Sequence, residues 1–148
     1  MLPTELRNSS KGLINIKNKD DNECFRWCHI RHLNPQDKNP QRIKKDDKQY
    51  IEKLNYLSIE FPVSQKQYNK IEKQNNININ VFGYEEKQPF PIYVSKEKFE
   101  DQMNLLLITK GEKKHYVPIK DFNKFMYNQT EHKERKHIVF SVLVLKKY

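Results

Sequence analysis

Cys24, His115 and Asp121 are the residues whose types and order could do chemistry in this chain. A cysteine becomes a nucleophile when its thiolate is stabilised, and the unpaired N–H groups and dipole of a helix N-terminus do this. Asp20, Asp21 and Asn22 are residue types that cap helices. The run from Cys24 to Leu33 then has helical spacing, so Cys24 is predicted in the first helical turn. A general base must come from elsewhere in the fold, and a third group must orient it. His115 opens a predicted strand and Asp121 follows that strand; Asp21 is the other candidate to orient the imidazole. The plainer alternative is a packing cysteine on a helix face and an ordinary strand histidine.

Two further constellations carry less. Cys24, Cys28 and His32 share a helix face, with His29 nearby, but the outer two lie ~12 Å apart at ~1.5 Å of rise per residue. Zinc–ligand bonds are ~2.0–2.3 Å, so one ion cannot hold both ends, and no metal site or other cofactor is expected. Lysines gather at Lys44, Lys45 and Lys48, at Lys110, Lys113 and Lys114, and at Lys133 and Lys136 beside Arg135. With 28 Lys+Arg against 19 Asp+Glu the net charge is +9, which attracts polyanions. Lys44, Lys45, Lys48, Lys113 and Lys114 are therefore the nucleic-acid candidates. Solvation of turns explains the same lysines, and the aromatic residues fall at core spacing, not as a stacking platform.

Composition narrows the rest. Three glycines, far apart, exclude a phosphate-cradling loop. Two cysteines four residues apart make no disulfide framework and suit a reducing compartment, cytoplasm or nucleus. No apolar run reaches membrane-spanning length, so no membrane partner is expected.

The elements that must position the cysteine and histidine are legible in part. Residues 1–11 read as a loose arm, and Gly12 to Ile16 as a short strand. A second helix is expected after Asp46 or Asp47, with Tyr50, Ile51, Leu54 and Leu57 as its stripe. Ser64 and Gln67 form a capping-box pattern before a helix carrying Tyr68 and Ile71. From Ile77 the hydrophobic period becomes two. Strands are expected at 77–83, 92–94, 105–108 and 115–119, and a short helix with Phe122, Phe125 and Met126 inward is capped by Asp121. Helices first and strands afterwards predict an α+β domain over residues 12–137, N-terminal helices packed on a C-terminal antiparallel sheet. A papain-like fold is one such arrangement.

Asp21-Asn22-Glu23-Cys24-Phe25 resembles the Asp-Gly-x-Cys opening of ovarian-tumour-type deubiquitinases, with Asn22 where that family has glycine. His115-Tyr116 resembles their late histidine–aromatic pair, and the order Cys, His, Asp is that of papain-like peptidases. A longer resemblance runs through Lys11-Gly12-Leu13-Ile14-Asn15-Ile16, Cys24-Phe25-Arg26-Trp27, Ile59-Glu60-Phe61-Pro62-Val63-Ser64, Ile79-Asn80-Val81-Phe82-Gly83-Tyr84 and His115-Tyr116-Val117-Pro118-Ile119-Lys120-Asp121-Phe122. These runs are similar, in order and spacing, to the N-terminal region of Maverick (Polinton) transposon proteins, which precedes a zinc finger, an exonuclease and a family B DNA polymerase. The resemblance implies an accessory domain of a polymerase protein, truncated before the finger, that binds element DNA or another transposon-encoded protein. The papain-like peptidase is its rival, and a relic without function a third expectation. After His137 the family continues into the finger, whereas residues 138–148 diverge. Read from the third base of the His137 codon, permitted codons spell Tyr-Cys-Phe-Gln-Cys, with Val139 and Val142 concealing the cysteines. The tail is accordingly expected to be out-of-frame sequence.

Overall fold

The computed structural model describes Leu6, residues 12–17 and residues 22–129, with side chains as far as Met126. In order these form helix α1 (Cys24–Leu33), helix α2 (Tyr68–Asn75), strands β1 (Ile77–Glu85), β2 (Gln88–Tyr93), β3 (Asp101–Lys110) and β4 (Lys113–Pro118), and helix α3 (Phe122–Gln129). The expected α+β class is the observed one. Among the described residues no helix is long and apolar enough to cross a membrane. Asp20, Asp21, the third lysine cluster and the divergent tail lie outside the described residues.

The strands form one sheet in the order β2-β1-β3-β4. Each hairpin is antiparallel, but β1 and β3 run parallel, so the expected all-antiparallel sheet is corrected to a mixed one. The β1–β2 hairpin turns on Glu86 and Lys87, at φ 52 and 62, the double left-handed turn that matches strand twist. The chain then crosses over β1 to reach its other side, and β1 itself holds the crossover. Asn78 Oδ1 accepts the Phe99 N–H at 3.0 Å while its Nδ2 donates to the Phe99 carbonyl at 3.0 Å. Asn80 Oδ1 accepts the Ser95 N–H at 2.9 Å. Both asparagines are buried, so the polar half of the Ile77–Asn80 alternation is a clamp and not a solvent face.

Each face of the sheet has its own core. Phe25 and Cys28 of α1 and Tyr68 and Ile71 of α2 cover Ile77, Ile79, Val81, Leu105 and Tyr116 on one face. Phe125 and Met126 of α3, with Leu6, cover Phe82, Leu106 and Val117 on the other. Full burial of each such side chain contributes ~1.5–3 kcal/mol. Leu6 is thus anchored, although it lies in the stretch read as a loose arm.

Three other expectations are corrected. Gly12 to Ile16 forms no strand beyond a single bridge, Leu13 to Ile119. Gly12, at φ 77, sets that segment against the chain after β4; its carbonyl accepts the N–H groups of Lys120 and Asp121 at 2.8 and 3.2 Å. The helix expected through Leu57 is only a 3-10 turn, Lys45–Tyr50. Its stripe has no core to face, since Leu57 is 75 % exposed and Asp47 is drawn aside by Arg31. Gln67 does not close a capping box with Ser64; its amide bonds the backbone N–H and carbonyl of Glu60 at 2.8 and 3.0 Å. By contrast Asp121 caps α3 as expected, accepting the Lys124 N–H at 2.9 Å.

Candidate cysteine–histidine site

α1 packs along the open edge of β4, and its two thiols meet that edge. Cys24 is the first residue of the helix; the N-cap is Glu23, which makes no side-chain cap bond. The Tyr116 N–H donates to Cys24 Sγ at 3.5 Å, and Sγ lies 3.9 Å from the Lys114 carbonyl. One turn later Cys28 Sγ donates to the Tyr116 carbonyl at 3.3 Å. Backbone groups on an edge strand need partners when buried, and the i, i+4 spacing supplies two sulfurs on one helix face. Burial pushes the Cys28 thiol well above its usual range, helped by nearby Cys24. Cys28 is therefore an inert packing thiol.

Cys24 has a different neighbour. The two backbone groups it touches flank His115. Adding the ~1.33 Å peptide C–N bond to the 3.5 Å contact puts Sγ within about 4.8 Å of the His115 carbonyl carbon. His115 is half-buried, and its Nε2 bonds Asn15 Oδ1 at 2.8 Å. An amide oxygen only accepts, so Nε2 carries the proton and the neutral ring keeps its lone pair on Nδ1. Burial pulls the His115 pKa below the ordinary histidine value, which favours that neutral ring.

Strand alternation works against the pair. Tyr116 faces the α1 side and Val117 the α3 side, so His115 leaves β4 on the Val117 side while Cys24 packs with Tyr116. No hydrogen bond joins Cys24 to His115 among the described residues, and Cys24 is 8 % exposed. The structure therefore brings Cys24, His115 and Asn15 to one edge strand without joining the first two. Asp121 is bonded to α3 and not to His115.

Asn15 is the residue that reading the sequence missed. Its one signal is a polar side chain inside the apolar run Leu13 to Ile16. Its approach to His115 depends on how residues 12–17 dock beside β4, which local pattern does not reveal. Of the lysine candidates, Lys45, Lys48, Lys113 and Lys114 are exposed, while Lys44 Nζ bonds Gln36 Oε1 at 2.9 Å and the Lys38 carbonyl. Lys113 and Lys114 lie near the N-terminal end of α1, and the Lys44–Lys48 loop is tied to its other end. The ten residues of the helix put these ends ~15 Å apart. A cleft of about 380 Å³ opens beside that other end, among Ile14, Arg31, His32, Gln102, Met103 and Asn104. There His32 Nε2 bonds Asp101 Oδ1 at 2.7 Å, away from both cysteines. Comparison of the chain with protein-family models, with curated proteins and with solved structures finds no match.

Proposed function

We propose that this chain is an accessory N-terminal domain of a Maverick-type polymerase protein and that its working centre is a papain-like cysteine site. The observation that carries the second part is the His115 Nε2–Asn15 Oδ1 bond on the strand that Cys24 touches. Asn15 fixes the tautomer that leaves Nδ1 free to act as a base, and the start of α1 supplies the field that favours a thiolate. In such a site Cys24 Sγ attacks a substrate carbonyl carbon and its proton passes to His115 Nδ1. The imidazolium then protonates the leaving amine, and water attacks the thioester with His115 again taking the proton. The Cys24 thiolate then leaves and regains its proton from His115, the carboxylic acid product departs, and thiol and neutral imidazole are restored without any cofactor. Strand alternation sets His115 on the face of β4 opposite to Cys24, so the pair must first be brought together by a shift of α1 against β4 and not by ring rotation alone.

A peptide-based electrophile that traps reactive cysteines tests this. Wild type should form one covalent adduct, at Cys24, and Cys24→Ala none. Labelling at neither cysteine of native protein would sink the catalytic part.

The opposing observation favours a second reading, a peptidase-like scaffold that only binds. Cys24 is engaged by the β4 backbone, and alternation turns His115 to the other face. With exposed Lys45, Lys48, Lys113 and Lys114, such a scaffold would bind element DNA, and its affinity would fall steeply between 50 and 200 mM salt as counterions are released. Filter binding at two salt concentrations reads this directly.

A further inference from the structure

Strand β3 outruns its neighbour. Its register with β4 ends at Leu105 opposite Pro118, with one last bond from the Ile119 N–H to the Asn104 carbonyl at 2.9 Å. Its pairing with β1 continues back to Asp101 opposite Ile77. Backbone groups alternate sides along a strand, so Gln102, like Asn104, turns its N–H and carbonyl away from β1. Extending the β4 register would set Asp121 opposite Gln102. Gly12 diverts the chain instead, its carbonyl taking the N–H groups of Lys120 and Asp121. Asp101 Oδ1 accepts the Gln102 N–H at 3.0 Å, whereas the Gln102 carbonyl and side-chain amide have no partner among the described residues. This open edge is one wall of the 380 Å³ cleft. The other wall is the end of α1 and the loop after it, Arg31, His32, Pro35, Gln36 and Asp37. The His32–Asp101 bond ties the two walls together. Ile14 and Met103 form an apolar patch of the lining on the α1 face of the sheet. Charge is divided between the walls. Lys120 lines the end near β4 and Asp37 the α1 wall; both are exposed, and among the described residues no ion pair or side-chain hydrogen bond engages either. Arg31 spends its donors on Asp47 and nearby carbonyls, so Lys120 is the lining cation left for an anion.

We propose that this cleft takes the C-terminal end of an extended peptide, laid parallel to β3 as an added strand where β4 stops. In that direction the last peptide residue lies next to Ile119, and its carboxylate meets Lys120. A main-chain N–H of the peptide donates to the Gln102 carbonyl, and an apolar side chain rests on Ile14 and Met103. In strand addition main-chain bonds supply the affinity and pockets for alternate side chains the selectivity. At ~3.3 Å per residue the edge from Asp101 to Met103 is ~10 Å long, room for about three peptide residues. The cleft volume falls within the ~300–1,000 Å³ of ordinary ligand pockets. Asp37 repels a carboxylate placed on the α1 wall, which sets the direction of the peptide. A nucleotide also offers an anion to Lys120, but no Phe, Tyr or Trp lines the cleft for a base to stack on.

A pool of fluorescently labelled hexapeptides with mixed apolar residues at the last three positions, titrated with the intact chain and read by anisotropy, tests this. The free-acid pool should bind at least ~10-fold tighter than the same pool ending in an amide. Lys120→Gln, at an exposed side chain, should erase that difference. N-methylation of the last three peptide groups should abolish binding, because the donor to the Gln102 carbonyl is lost. Gln102→Trp, at a half-buried side chain that bonds nothing, should fill the cleft and weaken the free-acid pool ~10-fold or more. Equal affinity for the acid and amide pools, or binding that survives N-methylation, would overturn the proposal. So would no binding of the free-acid pool at concentrations on the order of 1 mM. Tighter binding of a nucleoside monophosphate than of the free-acid pool would overturn it in favour of a nucleotide.

Discussion

Two polar clusters are built on the two ends of α1, and they differ in what is left over. At the C-terminal end Arg31 spends all its donors. Nε reaches the Pro40 carbonyl at 2.9 Å, Nη1 the Asn34 carbonyl at 2.8 Å and Asp47 Oδ1 at 2.7 Å, and Nη2 the Arg42 carbonyl at 2.8 Å and Asp47 Oδ2 at 2.6 Å. Asp47 also accepts from the Lys44 N–H at 2.7 Å and from Asn34 Nδ2 at 2.8 Å. At the N-terminal end His115 spends one ring nitrogen on Asn15, and among the described residues Nδ1 makes no hydrogen bond. A saturated buried network fixes a loop and has no capacity for a reacting group. An unsaturated one beside a thiol has that capacity, and this difference, more than residue type, separates scaffold from candidate site.

The largest expected effect lies at the saturated end. Arg31→Ala or Asp47→Ala leaves a buried charge without its partner and should lower unfolding free energy by ~3–5 kcal/mol in urea denaturation. Arg31→Met with Asp47→Leu together should recover most of that loss, because removing both charges removes the desolvation cost. Single variants as stable as wild type would show that the knot is not what holds residues 34–47.

Acid should come next. Burial, and then the neighbouring His32, lower the pKa of His29 from 6.5 to about 4; its Nδ1 bonds the Tyr56 hydroxyl at 2.8 Å. The unfolded chain therefore binds a proton between these values that the folded chain refuses. Stability is full above about pH 6.5 and falls as pH drops toward 4, by roughly 3 kcal/mol at ~1.36 kcal/mol per unit. Asp47 acts in the same direction at lower pH. Burial pushes its carboxyl up, but the bonds from Arg31, Lys44 and Asn34 outweigh that and hold it below the usual range. That stability is present above the unfolded carboxyl pKa and is lost as pH falls through the folded one. Denaturation midpoints measured from pH 7 down to pH 4 should flatten in His29→Gln; an unchanged slope would remove His29 from the account.

The smallest stability effect belongs to the unsaturated end, where the functional effect should be large. Asn15→Ala removes one half-buried hydrogen bond, costing about 0.5–1.5 kcal/mol. It should also free the imidazole to change tautomer and slow Cys24 labelling ~10-fold or more, within the range general bases contribute. A stability change without a rate change would make Asn15 a docking residue for residues 12–17 and nothing more.

Legibility in the sequence followed the range of the interactions. The helix beginning at Cys24, the strand period after residue 76 and the Asp121 cap are local patterns, and each was readable from neighbours within a few residues. The parallel pairing of β1 with β3 was not, because it depends on Asn78 and Asn80 holding a crossover some twenty residues away. The 3-10 turn at Lys45–Tyr50 was hidden for a similar reason: Asp47 looked like a helix cap, but Arg31 had the stronger claim on it. At the site, cysteine and histidine were legible by type and order. Asn15 was not, since 100 residues separate it from His115 and only tertiary docking joins them.

The central claim is that His115 acts on Cys24. The rate of Cys24 alkylation by iodoacetamide as a function of pH, followed by mass spectrometry in wild type and His115→Ala, tests it most directly. Wild-type Cys24 should react as a thiolate below the ~8.5 of a free thiol, and His115→Ala should move the profile to higher pH. Superimposable profiles for the two proteins would contradict it and leave Cys24, like Cys28, a packing group on the edge of β4.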